Sequence, residues 1–477
     1  MNLQIGRLFG LFVVLFGVLV FFTSRWTVFD ARSLQDNAHN RRPLLKAQRI
    51  PRGLILADDG THLTANRHVG SGETLRYYRS YPTGSLFSHA VGYSFVSRGS
   101  AGIEKAYNRE LTGQENEFKS LIDQLGGGTK AGDDLHSTLD PRAQRVALSA
   151  LGGQRGSIVA LDPRTGAIKV MASLPDYNPN DIPARYAQLN SDTSSPLFNR
   201  ATQARYPPGS TFKVVTAAAA IDSGRYTPDS VISGRNNKII SGVPLQNFGG
   251  ADYGPISLTD ALTHSVNTVF GEVGEKLGKH TMFKYMKRFG FGSRLGLDYP
   301  TEEISPSGVF SGRRLLGTSD SVDVGRVAID QERLQVTPLQ MAMVAAAIGN
   351  GGRLMQPRLV DSVTKPDGGL RSRNSPSLRS TVMSSRTASE LAGMMGKVVQ
   401  EGTGTAAALS GIQVAGKTGT AEVTNGVNQA WFIAFAPVTN PRVAIAATVE
   451  RTSGEGGTVA APIAKQVLQV LLGGSGG

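Results

Sequence analysis

The 477 residues, 40% hydrophobic and 18% charged, have the composition of a globular protein with a sizeable core, and exceed one ordinary domain. The formal charge is +13, but Lys and Arg are scattered with no aromatic-interleaved stripe, so no nucleic acid is expected as a partner. The absence of cysteine excludes thiolate chemistry and disulfides, and the seven histidines lack metal-ligand spacing, so neither metal nor cofactor is expected.

The chain opens with a short tail, 1–7, followed by an uncharged apolar run from Leu8 to Ser24. As a helix these residues span roughly 25 Å, enough to cross a hydrocarbon core. The exit, Phe22-Thr-Ser-Arg-Trp26, offers no small-x-small cleavage site and puts a Trp where the membrane interface would lie. An uncleaved anchor over 8–24 is expected, with 1–7 cytoplasmic and the body outside the cytoplasmic membrane. Arg7 and the α-amino group point to that orientation; Arg25 on the other flank opposes it.

Residues 27 to 125 mix short apolar stretches with turn residues, and Gly53-Leu-Ile-Leu-Ala57 before Asp58-Asp-Gly60 reads as a strand entering a turn. Residues Leu125–Asp134 have linker composition, which divides the body into a non-catalytic unit over 25–135 and a larger one over 136–472, with a flexible tail at 473–477. Asp140 at an N-cap and Pro141 at N1 predict a helix that Gly152-Gly153 end. Ser157–Leu161 and Ala167–Met171, flanking Asp162-Pro-Arg-Thr-Gly166, predict a hairpin. The middle is helical in character, as over Thr211–Ile221 and Leu339–Ile348. Gln413–Val423, Gln429–Ala436 and Arg442–Glu450, parted by Asn425-Gly426 and Asn440-Pro441, predict an antiparallel meander, with a last helix over Pro462–Leu472. The order predicts an α+β domain whose sheet joins distant parts of the chain.

Three motifs could carry chemistry. In Tyr206-Pro-Pro-Gly-Ser-Thr-Phe-Lys213 the prolines and glycine forbid a helix before Ser210, so Ser210 is expected at a helix N-terminus with Lys213 on the same face. An amine there can take the hydroxyl proton if burial or a second cation lowers its pKa. Ser265-Val-Asn267 follows the expected helix Leu258–Thr263 and can turn a hydroxyl and an amide into one cleft; His264 beside it reads as structural. Lys417-Thr-Gly-Thr420 lies on an expected strand, where Gly419 would admit a substrate backbone and Lys417 would supply a cation. Each motif alone also fits a bland reading: a helix cap, or a glycine bulge.

Together and in this order, SxxK, SxN and KTG resemble the active-site set of penicillin-binding proteins and serine β-lactamases. Similarity to class B penicillin-binding proteins covers nearly the whole chain. Asn40-Arg41, Gln48-Arg-Ile-x-Arg-Gly53, Gly102-Ile-Glu-Lys-Ala-Tyr107 with Leu111-Thr-Gly113, and Thr138-Leu-Asp-Pro-x-x-Gln144 resemble the pedestal. Ala160-Leu-Asp-Pro-x-x-Gly166, Tyr177-Asn-Pro-Asn180, Asn199-Arg200, Thr337-Pro-Leu-Gln340, Gly402-Thr-Gly404 and Trp431–Pro437 resemble the transpeptidase domain. One departure is Ile329-Asp-Gln-Glu-Arg333, where such proteins usually carry Gly-Gln-Gly.

The resemblance implies an antiparallel five-stranded sheet covered by helices, and D,D-transpeptidation of peptidoglycan stem peptides through a Ser210 acyl-enzyme, open to attack by β-lactams. It implies Lys213 as base, Ser265 and Asn267 as proton relay and substrate support, and Lys417, Thr418 and Gly419 along the substrate strand. The backbone N–H groups of Ser210 and Thr420 would form the oxyanion hole. It also implies a polytopic glycosyltransferase as partner, and the compact pedestal without trailing modules leans towards elongation rather than division. Rival readings are a β-lactamase or D,D-carboxypeptidase, with water as acceptor, and a non-catalytic sensor or scaffold. The anchor weighs against the lactamase, and the intact Ser210, Lys213 and Lys417 against the scaffold.

Overall fold

The structure, a computed structural model, describes residues 2–26, 48–113, 131–424 and 426–473. Asn40-Arg41, most of the 125–134 segment, Asn425 and the end of the chain lie outside the described residues. Helix α1, Asn2–Ser24, is apolar and long enough to cross a membrane, and its span Gln4–Ser24 is not buried against the protein.

Residues 48–113 form a small module of short strands and single-turn helices tied together by a buried ion cluster. Glu104, fully buried, accepts from Arg52 Nε at 2.6 Å and Arg79 Nε at 2.5 Å, while Arg52 also reaches the Glu104 carbonyl and Asn108 Oδ1. This gives Arg52, and the glutamate of the Gly102–Tyr107 motif, structural work. Strand Asp134–Ser137 then runs parallel to Ile55–Leu56 and antiparallel to Val360–Thr364, so it straddles the expected 135/136 boundary and joins both units in one sheet. More contacts close the junction. Asn180 exchanges hydrogen bonds with the backbone of Tyr81 at 2.9 and 3.0 Å, and Tyr107 donates to Asp298 at 3.0 Å.

Helix α2, Pro141–Leu151, starts and stops as its sequence requires. The Asp140 carboxylate accepts from the N–H groups of Arg142 and Ala143, and Gly152 closes the end in the left-handed conformation. Strands β1, Gly156–Leu161, and β2, Ile168–Leu174, form the hairpin. Helices α3 (Lys213–Asp222), α4 (Leu258–Thr263), α5 (Asn267–Arg288), α6 (Pro338–Gly349) and α7 (Ser385–Gln400) fill the long insert. Strands β3 (Ala415–Thr424), β4 (Val427–Ala436) and β5 (Val443–Thr452) make the meander, and α8, Ala461–Gly473, ends the described chain. The five strands form one antiparallel sheet in the order β3-β4-β5-β1-β2, so the first hairpin pairs with the last strand.

Side chains alternate across this sheet with the period of two that pleating dictates. Trp431, Ile433 and Phe435 of β4 join Val159 and Leu161 of β1 in one core, which α6 fills. Phe432, Ala434, Ile158 and Ile445 join the opposite core, closed by α2 and α8. Both faces are dry, so the strands read as apolar runs, and α6 is apolar all round because it lies inside.

Burial works against the Glu104 charge, yet its two arginines more than reverse this and hold its pKa below the usual carboxylate value. Replacing Glu104 by Ala leaves two buried guanidiniums without a counter-charge and is expected to cost about 3–5 kcal/mol, seen as a lowered melting temperature. Because the folded pKa lies below the unfolded one, this stabilisation is full above the unfolded value and fades as pH falls through the folded one. Wild type should therefore lose more stability than Glu104→Gln on acidification from about pH 5 to pH 3.

Candidate active site

Pro207 and Pro208 keep the chain out of a helix until Gly209, whose φ of +58° turns it inward. A 3₁₀ turn over Gly209–Phe212 then hands on to α3 at Lys213, so the regular helix begins three residues later than the sequence suggests. In a 3₁₀ turn, residues three apart eclipse, which aligns Ser210 with Lys213. Ser210 borders the cleft, whereas Lys213 is fully buried at the head of a largely apolar helix.

Ser265 sits between α4 and α5 with φ +58°, a left-handed residue that reverses the chain between two helices. The reversal puts its backbone and hydroxyl against the lysines. Lys213 Nζ donates to Ser265 O at 2.6 Å and Asn267 Oδ1 at 2.6 Å, and lies 3.2 Å from Ser265 Oγ. Lys417, also fully buried, reaches the same Oγ at 3.0 Å and the Thr418 carbonyl at 3.0 Å. Every one of these acceptors is neutral. Burial, and then the charge of Lys417, push the Lys213 pKa well below that of an ordinary lysine, and burial lowers Lys417 to about 7. The pair is thus poised to carry a neutral amine near neutral pH.

The Ser210 turn is seated on β3. A Cβ on Gly209 would stand 2.8 Å from Thr420 N, and one on Gly419 only 2.6 Å from Pro208 O and 2.9 Å from Thr211 Cγ2. The close approach that requires glycine at 419 is therefore made by the protein's own Ser210 turn, where the sequence suggested a substrate backbone. Thr418 Oγ1 lies 2.6 Å from Thr403 Oγ1, and Thr420 Oγ1 accepts from Gly456 N at 3.1 Å. Ser210, Ser265, Asn267, Thr418, Gly419 and Thr420 all line one open cleft of about 780 Å³, with the two lysines beneath its floor.

Three further groups border the site: Thr403 and Asp330, which carry no role in the sequence reading, and His264, which that reading takes as structural. Thr403 stands between Gly402 and Gly404, and the glycine is needed because a Cβ at 402 would meet Thr263 O at 2.5 Å. His264 stacks on Tyr253, ring centroids 5.9 Å apart, and forms part of the cleft wall. Asp330, from the departure at 329–333, accepts a hydrogen bond from Gly209 N.

A buried amine pair sharing one serine hydroxyl, beside a serine at the head of a helix and a glycine-bearing edge strand, defines a class of serine acyltransferases. The penicillin binding protein transpeptidase domain matches residues 156–469, so the chain belongs to the penicillin-binding protein family; the penicillin binding protein A dimerisation domain matches residues 52–135. Peptidoglycan D,D-transpeptidase PbpA of Mycolicibacterium smegmatis is 35% identical over 99% of both chains, and that of Mycobacterium tuberculosis 32% identical over 99% of this chain and all of its own. The ceftriaxone acyl-enzyme of M. tuberculosis penicillin-binding protein A superposes with a TM-score of 0.80 at 31% identity, covering 90% of this chain and all of that one. The D,D-transpeptidase domain of a peptidoglycan glycosyltransferase from Eggerthella lenta gives 0.78 at 36% identity, covering 90% and 99%.

A methyl at 419 meets backbone on one side, where nothing can yield cheaply. Gly419→Ala is expected to destabilise by about 1–3 kcal/mol, the usual cost of overpacking, as measured by thermal denaturation.

Proposed function

We propose that the chain is a membrane-anchored peptidoglycan D,D-transpeptidase whose nucleophile is Ser210. The observation that carries this reading is the Ser265 hydroxyl within hydrogen-bonding reach of both Lys213 and Lys417. It supplies a proton path between two amines, one of which can be neutral while the other is charged.

In this reading neutral Lys213 takes the Ser210 proton as Oγ attacks the penultimate D-alanyl carbonyl of a donor stem peptide. The Ser210 and Thr420 N–H groups hold the oxyanion, a contribution of about 10²–10³ in rate per donor in comparable sites. As the C–N bond breaks, the proton reaches the leaving amine through Ser265, and D-alanine departs. The amine of a neighbouring stem peptide then attacks the ester and gives a proton to Lys213, which passes it to Ser210 Oγ as the C–O bond breaks, leaving a new amide, the Ser210 hydroxyl and neutral Lys213. Asn267 and Thr418 hold the peptide, and Lys417 keeps Ser265 oriented and faces the terminal carboxylate. β-Lactams acylate Ser210 as substrate mimics, consistent with the acyl-enzymes named for M. tuberculosis penicillin-binding protein A.

Helix α1 is read as the single-pass anchor, with 1–7 inside and the catalytic unit outside. Residues 25–135 are read as the pedestal and 136–472 as the transpeptidase unit, with strand Asp134–Ser137 as the seam. A polytopic glycosyltransferase of the elongation or division machinery is the partner that supplies glycan strands.

Intact-mass measurement after penicillin treatment tests the nucleophile: a stable adduct is expected on the wild type and none on Ser210→Ala. Rapid release of hydrolysed penicillin would instead make the protein a β-lactamase. Because the folded-state lysine pKa values are depressed, raising the pH deprotonates the pair within the accessible range. The acylation rate should climb with pH and level off once Lys213 is neutral, well below the pH at which an ordinary lysine loses its proton. Stopped-flow acylation across about pH 5–9 reads this, and a flat profile contradicts Lys213 as base.

A further inference from the structure

Asp330 occupies the loop between a one-turn helix, Val324–Val327, and strand Leu334–Gln335. Its φ is +71°, in the left-handed region that glycine enters freely and an aspartate enters under strain. The family resemblance puts glycine at this place, so the backbone alone would be better served by that residue. The side chain, however, turns inward beneath the nucleophile turn, where one carboxyl oxygen accepts from Gly209 N and the other is buried without a hydrogen-bond partner.

The neighbouring cations do not compensate it. Arg326 is engaged by Gln331 Oε1 and by the carbonyls of Val243 and Pro244, and Arg333 by Glu332 and the Ser321 carbonyl. With burial unopposed by any cation, the carboxyl is pushed well above the usual carboxylate range.

Gly209 is fixed from two sides. The space a Cβ would need is taken by the backbone of Thr420 in β3, and its own N–H is taken by Asp330. The next N–H along the chain is that of Ser210. We propose that Asp330 is a positioning residue that, through Gly209, aims the Ser210 N–H at the same point as the Thr420 N–H and so sets the oxyanion hole. This rests on the transpeptidase reading and adds to it a residue that the three motifs do not contain.

The test is acylation of the full chain by a fluorescent penicillin, resolved into the non-covalent binding constant and the acylation rate constant. Asp330→Asn keeps a carbonyl acceptor and is expected to retain at least about a third of the wild-type acylation rate. Asp330→Leu keeps the bulk without the acceptor, and Asp330→Gly relaxes the backbone without it. Both should lower the acylation rate constant roughly tenfold or more, with the binding constant little changed. Should the Leu variant fold poorly, the Gly variant still decides, because it relieves strain instead of adding it. Wild-type rates in the Gly variant, or an Asn variant that falls as far as Gly, overturn the assignment. A wild type that does not label at all brings down the transpeptidase reading with it, whereas labelling by a wild type and an equally fast Gly variant removes the role of Asp330 alone.

Discussion

Two amines buried around one hydroxyl are the constraint on which the remainder depends. Lys213 and Lys417 come from α3 and β3, and Ser265 from the turn between α4 and α5, so three separated segments must converge within hydrogen-bonding distance. Keeping both amines charged in a dry site without a carboxylate partner is costly, and the cheapest relief is the loss of one proton. The site therefore acquires a base by exclusion of water and counter-ions. Such chemistry needs a rigid frame, and the sheet with two dry faces provides it.

The frame also braces the Ser210 turn from behind. Arg200 Nε donates to Glu450 of β5 at 2.8 Å, Tyr206 donates to the same carboxylate, and Trp431 of β4 donates its indole N–H to Pro207 O at 2.8 Å. The Asn199-Arg200 motif thus supports the residues just before Ser210. Asn199 itself donates to Tyr299, whose hydroxyl reaches the backbone of His89 in the N-terminal module. A run of buried polar contacts consequently extends from the junction of the two units to the catalytic turn.

What the sequence made legible is local. Asp140-Pro141, the hairpin around Asp162–Gly166 and the meander after Val414 declare themselves through caps, turns and alternating side chains, and each lies where expected to within two or three residues. Ser210, Ser265 and Lys417 were recoverable because their spacing along the chain is distinctive. What escaped is long-range. Nothing beside Asp330 reveals that it lies under Gly209, more than a hundred residues earlier, and Thr403 shows only two flanking glycines. The glycine in Lys417-Thr-Gly-Thr420 was legible as a close approach, but not which backbone approaches.

Strand Asp134–Ser137 carries a consequence for any shortened form of the chain. A fragment beginning at 136 would keep only half of that strand and bare the edge of Val360–Thr364, whose open N–H and C=O groups invite pairing between molecules. It would also strip Tyr107 from Asp298, a carboxyl that burial already raises to about 6. The catalytic half is therefore expected to aggregate when freed at that point, and to stay soluble when the cut falls before residue 48. The smallest self-sufficient unit is not the one that holds the chemistry; it extends back to the first described strands after helix α1.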